Sequence, residues 1–175
     1  MKRVLLPVAV LLSSLLLSSA RPAESSGSLA WRSWDAGLRE AGASGRPILV
    51  DIYTDWCGWC RRMDADVYSR ADVQDYLSRR FVTIKLDAES SRSAGYMGRT
   101  YTSRSLASAF GVTGYPTTVF LRPGGEHLVN VPGYVKSDRF LLLLRYISEG
   151  HLDRGVPFED FRKSLTGSRP SKKSK

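Results

Sequence analysis

The sequence predicts an α/β domain: a central mixed sheet of four to five strands, flanked by helices on both faces. Three observations carry this expectation. Helical and strand patterns follow one another as α-β-α-β-α-β-β-α, and a βα half followed by a ββα half needs both parallel and antiparallel pairings. The first strand pattern, Ile48-Leu49-Val50-Asp51-Ile52-Tyr53, is apolar on both faces, as a central strand must be. The 42% hydrophobic content of the 175 residues suffices for one domain with tails, but not for two domains.

The elements follow in order. Met1-Lys2-Arg3 is a short basic start, and residues 4–17 are apolar apart from Pro7, Ser13 and Ser14. Ser18-Ser19-Ala20 then offers the small residues of a cleavage site. This is the three-part secretory pattern, so residues 1–20 are expected to be a signal peptide. Its 14-residue apolar core is short for a bilayer span, with an uncleaved anchor as the alternative. Residues 21–28, rich in Pro, Ser and Gly, read as a linker, and 29–150 as the folded domain. Trp31, Trp34, Leu38 and Ala41 recur at helical spacing, which predicts a helix over 29–42 ended by Gly42, Gly45 and Pro47. After the 48–53 strand come helices over 58–68 and 70–79, and a strand over 81–86.

Residues 88–104, rich in Ser, Gly and Arg, read as a long loop or insertion. A short helix over 105–110 leads to a strand over 117–121. Pro123-Gly124-Gly125 turns that strand into a hairpin with residues 128–131. A leucine-rich helix over 138–149 closes the domain. Residues 151–165 read as a helical extension whose helix begins at Phe158, and 166–175 as a basic disordered tail.

Charge and composition exclude several classes. The net charge of +9 sits mostly at the ends: Lys2, Arg3, Arg169, Lys172, Lys173 and Lys175 supply six of the nine units. With no recognisable binding motif, no nucleic-acid partner is expected. No apolar run reaches the length of a polytopic membrane protein's spans. Two cysteines cannot build a disulfide-dense scaffold or a four-cysteine metal site, and the two histidines, His127 and His151, lie far from them in sequence. No metal and no cofactor are expected.

The chemistry is expected at Trp56-Cys57-Gly58-Trp59-Cys60. Both cysteines of the chain lie here, three apart, between a strand and the start of a helix. A helix N-terminus offers free N–H groups and partial positive charge, which lower a thiol's pKa from about 8.5. Cys57, at the helix end and expected to be the more exposed, is read as the nucleophile. Cys60, one turn on, is read as the residue that resolves the mixed disulfide. A structural disulfide, a metal site and two inert buried thiols are the alternatives. Asp51 is out of place in a buried strand, where a carboxylate is costly without a task or partner. Desolvation should raise its pKa, fitting it to take and return the proton of Cys60. Lys85, in the adjacent strand, is a candidate partner. A strand-end Asp facing solvent is the alternative.

The segment 48–60 resembles the active-site segment of thioredoxin-like proteins. Gly111-Val112-Thr113-Gly114-Tyr115-Pro116-Thr117-Thr118 resembles that family's cis-proline segment, and Gly133 its later glycine near the active site. The resemblance spans about residues 30–150, and the longer pattern, including Leu86-Asp87-Ala88-Glu89 and Phe158-Glu159-Asp160-Phe161, is most similar to secreted bacterial thioredoxin-like proteins and resembles the carboxy-terminal domain of the periplasmic thiol–disulfide interchange protein. The resemblance implies a thioredoxin fold, a cis Pro116 beside the cysteines, and a substrate groove lined by Tyr115. Trp56 and Trp59 would wall that groove, with Gly58 and Gly133 at its edges.

The implied activity is an extracytoplasmic, periplasmic thiol–disulfide oxidoreductase acting on protein disulfides as a monomer. Lacking a nucleotide or flavin motif, it would need an upstream thiol donor, with a membrane thiol–disulfide reductase as a candidate. The dipeptide Gly58-Trp59 carries no charge, whereas resemblance links a histidine there to stronger oxidants and isomerases. A reductant is therefore expected. A disulfide-forming oxidase or isomerase, and a binding or chaperone-like module with a structural disulfide, are the rival readings.

Overall fold

The computed structural model describes residues 29–167. The expected signal peptide and linker lie outside them, as do all but the first two residues of the expected tail. Four strands form the main sheet: β1 (Ile48–Tyr53), β2 (Val82–Asp87), β5 (Thr117–Leu121) and β6 (His127–Pro132), in spatial order β2-β1-β5-β6. β1 pairs parallel with β2 and antiparallel with β5, and β5 pairs antiparallel with β6. The sheet is mixed, as expected, with four strands in the main sheet and a separate two-stranded pairing of β3 (Ser93–Tyr96) with β4 (Arg99–Thr102).

Strand alternation sends side chains to two cores. Ile48, Val50 and Ile52 of β1 join Val119 and Leu121 of β5 in a layer under α1 (Trp34–Ser44) and α4 (Ser103–Ala109). Leu49 and Phe120 point the other way. They meet Met63 of α2 (Gly58–Met63), Leu77 of α3 (Ala71–Arg80), Phe140 and Leu144 of α5 (Ser137–Ser148), and Phe161 of α6 (Phe158–Gly167). Asp51 shares the face of Leu49, so its carboxylate enters an otherwise apolar layer on the α2 side. Among the described residues no helix is long and apolar enough to cross a membrane.

Four local expectations are corrected. The first helix begins at Trp34, not at residue 29. Before it the chain runs extended along the outer edge of β2, where Arg32 N donates to Thr83 O at 2.8 Å and Lys85 N donates to Arg32 O at 3.2 Å. The open backbone of an edge strand captures this segment. Trp31 and Trp34 thereby reach opposite cores: Trp31 packs edge-on against Tyr68, and Trp34 against Tyr96. Gly42 lies inside α1, which ends at Gly45 in the left-handed conformation (φ 68°).

The supposed loop 88–104 contains the β3–β4 hairpin and the start of α4. Met97 and Gly98 both have positive φ, the pattern of a two-residue primed turn. Tyr96 and Tyr101 pack this hairpin against the first core. The Thr102 and Ser105 side chains form a capping box that starts α4. The expected helix over 58–68 is α2 followed by a π-helical turn, Asp64–Tyr68. Finally, α6 continues through Gly167, so residues 166–167 are helical rather than tail, while 151–155 form turns before it.

Helix α1 lies hard against β2 at Gly37, where an added Cβ would stand 2.3 Å from Ile84 Cγ1. Gly42, in the same helix, faces solvent with nothing within 4 Å. Gly42→Ala should therefore stabilise the protein by about 0.5–1 kcal/mol through helix propensity. Gly37→Ala should destabilise it, because overpacking of about 1–3 kcal/mol outweighs that gain. Denaturant midpoints moving in the same direction for both would contradict this account of the α1–β2 packing.

Candidate active site

The strand β1 ends at Tyr53, and a tight turn carries the chain to the first turn of α2. Cys57 N donates to Thr54 O at 3.2 Å within that turn. Cys57 is the residue that caps α2: its backbone is extended, and its Sγ accepts the Cys60 N–H at 3.0 Å. One orphan donor of the helix end is thus directed at sulfur. Cys57 and Cys60 are joined in a disulfide.

The expectation that Cys57 is the more exposed cysteine is not met, since Cys57 is 4% and Cys60 5% exposed. Their position on the helix, not their access to solvent, distinguishes them. The neighbouring indoles take the solvent instead, with Trp56 65% and Trp59 56% exposed. Each indole leans on an aromatic ring from another loop. Trp56 meets Tyr115 edge-on at 6.0 Å, and Trp59 meets Tyr134 at 5.6 Å.

The Tyr115–Pro116 peptide bond is cis. Pro116 O accepts the Gly133 N–H at 2.8 Å, and Gly133 adopts a positive φ of 82°. The structure therefore brings Trp56, Cys57, Gly58, Trp59, Cys60, Tyr115, Pro116 and Gly133 to one edge of the sheet. Arg61 folds back over this edge and donates from Nη1 to Asp55 O at 3.0 Å. Arg62 pairs with Asp66 at 3.0 Å and stacks over Trp59 and Tyr134.

Beneath α2 lies a polar cluster. Register places Asp51 beside Lys85 of β2 and Thr118 of β5 on the same face. Asp51 is 2% exposed, and its Oδ1 has no hydrogen-bond partner among the described residues. Burial pushes its pKa up to about 7; the positive charge of Lys85 opposes this and the negative charge of Asp64 reinforces it. Tyr68 is also raised well above its ordinary value, first by burial and then by the charge of Asp51. Its hydroxyl lies 3.5 Å from Thr118 Oγ1.

The expected Lys85–Asp51 pair is present but loose, at 3.7 Å. The ammonium instead donates to both oxygens of Asp64, each at 2.7 Å. It also lies over the rings of Trp31 and Tyr53, at 5.3 and 5.1 Å.

Asp64, Tyr68, Tyr134 and Trp31 were not among the expected site residues. Asp64 follows Cys60 by four positions, so helical spacing alone places it one turn on along the same helix. Tyr134 directly follows Gly133. Nothing local points to Tyr68, which reaches the cluster through the π-helical turn, or to Trp31, which reaches it through the extended arm along β2.

Residues 34–148 match the family described as the thioredoxin-like domain. The chain is 30% identical over 112 residues to the thiol:disulfide interchange protein DsbD of Ralstonia nicotianae, a match covering 63% of this chain and 17% of that protein. It thus spans about a sixth of that relative's length. Among solved structures, a thioredoxin from Thermus thermophilus matches at 28% identity and a TM-score of 0.56, over 71% of this chain and 96% of the other. A protein described as DsbH oxidoreductase shares the fold at 18% identity and a TM-score of 0.56, over 78% of this chain and 95% of the other.

Asp51 also makes stability depend on pH. Its folded pKa of about 7 lies above the ordinary 3.8, so the folded state binds its proton more tightly than the unfolded chain does. That contribution is full below pH ~4 and is lost as pH rises to about 7, on the order of 4 kcal/mol. Asp51→Asn should lack this component and be more stable than the parent at pH 8, with the gap closing towards pH 4. Unfolding free energies that stay parallel for the two proteins across this range would refute it.

Proposed function

The chain belongs to the thioredoxin-like family of disulfide oxidoreductases, and on that premise we propose that it reduces protein disulfides outside the cytoplasm. The observation that carries this reading is the Cys57–Cys60 disulfide at the start of α2, with Sγ of Cys57 facing a helix-end N–H. In the reduced protein the same N–H and the helix dipole favour the Cys57 thiolate.

The thiolate attacks one sulfur of a substrate disulfide; the other leaves as a thiolate and takes up a proton. Asp51, ionised on the sheet face that α2 covers, accepts the proton of Cys60. The Cys60 thiolate then attacks Cys57 Sγ and expels the second substrate sulfur, which gains a proton in turn. Two substrate thiols leave, and the oxidised pair remains, the state seen in the structure. A dithiol donor must return two electrons and two protons to complete the cycle; a membrane thiol–disulfide reductase fits that role. The cis Pro116 supports an extended substrate docking beside the sulfurs, because it presents no N–H of its own there.

Reduction is favoured over oxidation because Gly58 and Trp59 add no charge between the cysteines. A less stabilised thiolate makes the disulfide a weaker oxidant. Extracytoplasmic location rests on the leader pattern of residues 1–20.

The Cys60→Ser variant should accumulate mixed disulfides through Cys57 when expressed in its host, whereas Cys57→Ser should trap none. Equilibration of the parent with glutathione should yield a reducing potential. Mixed disulfides forming equally on both variants would overturn the assignment of the nucleophile. A potential as high as that of a strong periplasmic oxidant would overturn the direction.

A further inference from the structure

The cationic neighbour of Asp51 is turned aside from it. Lys85 sits in register with Asp51, yet its Nζ stands 3.7 Å from Asp51 and 2.7 Å from each oxygen of Asp64. Two rings hold the ammonium there: Trp31 from the arm along β2 and Tyr53 from β1. A partly buried ammonium against aromatic faces and a bidentate carboxylate is well satisfied. Asp51 is left with one oxygen near the cation and the other unpartnered.

We infer that Asp64 is a positioning residue: it holds the Lys85 ammonium off Asp51 and thereby sets the pH at which Asp51 exchanges the Cys60 proton. This rests on the proposed role of Asp51 in resolution. The groups that face Asp51 are Lys85 from β2, Asp64 and Tyr68 from the turn after α2, and Thr118 from β5. Of these, Lys85 and Asp64 form the close ion pair, and their mutual bond is the element that divides the lysine between two carboxylates. Asp64 is partly exposed while Asp51 is sealed, so the lysine spans the path from the buried acid to solvent. Losing Asp64 frees Lys85 to move onto Asp51 and removes a negative charge nearby. Both changes favour the ionised form of Asp51, so its titration moves down.

The test titrates the carboxyl carbon of Asp51 by NMR in the oxidised full-length protein, which needs no turnover, alongside the pH profile of mixed-disulfide resolution. Asp64→Asn should lower the Asp51 midpoint by about one pH unit or more, a tenfold change in its proton affinity. Asp64→Glu should restore it, and Lys85→Met should raise it. In the Lys85→Met background, Asp64→Asn should keep only the smaller part of its effect that comes from removing its own charge, because the rest acts through the lysine. The resolution profile should move with the spectra.

An unchanged midpoint in Asp64→Asn, or a shift of equal size with Lys85 absent, would overturn the positioning role and leave the proton role of Asp51 standing. A resolution rate that ignores a midpoint moved in the spectra would overturn the inference from the other side, by removing the proton role itself.

Discussion

The first turn of α2 is closed by sulfur. Where many helices place a serine, threonine or aspartate to satisfy the N-terminal amides, this one places Cys57, whose Sγ accepts the Cys60 N–H. The disulfide holds the two sulfurs together, and the N–H adds partial positive charge beside Cys57 at this turn. The rest of the domain serves to hold it: β1 in the middle of the sheet delivers the chain to the turn, and β5 brings the cis Pro116 beside it. The bond from Gly133 to Pro116 O then fastens the loop after β6 to the same edge. The four aromatic residues Trp56, Tyr115, Trp59 and Tyr134 pack in pairs across these loops, so the edge is braced from two sides.

Below that edge the protein accepts a cost. A carboxylate in the sheet's interior, with its nearest cation engaged elsewhere, loses hydration without a full partner in return. The cluster of Asp51, Lys85, Asp64, Tyr68 and Thr118 is assembled from three adjacent strands and one helical turn. The π-helical turn carries Asp64 and Tyr68, four positions apart, to this one cluster. Such turns are often found at functional sites. The same burial that makes Asp51 destabilising near neutral pH gives it a proton affinity suited to thiol chemistry there.

Much of this was legible in the sequence because it depends on local pattern. The apolar run around Asp51, the spacing of Cys57 and Cys60, and the leucine-rich face of α5 each specify an element within a few residues. The failures were non-local. Residues 29–33 have a helical spacing of tryptophans, but the unfilled edge of β2 pulls them straight, and Trp31 ends up against Lys85 rather than inside a helix. The 88–104 segment looked featureless because its strands are four residues each and rich in Ser, Gly and Arg. Their order comes from Tyr96 and Tyr101 packing on the core. Strand adjacency suggested Lys85 as a partner of Asp51, and could not reveal that an aspartate on the next helical turn competes for it.

In the proposed chemistry the start of a helix holds Cys57 as a reactive thiolate. This is tested most directly by the pH dependence of Cys57 alkylation in the reduced protein, with Cys60 replaced by serine. The midpoint should lie below the ordinary thiol value of about 8.5, with alkylation at neutral pH faster than that of a cysteine in an unstructured peptide. A midpoint at or above that value, with labelling no faster than the peptide's, would contradict it.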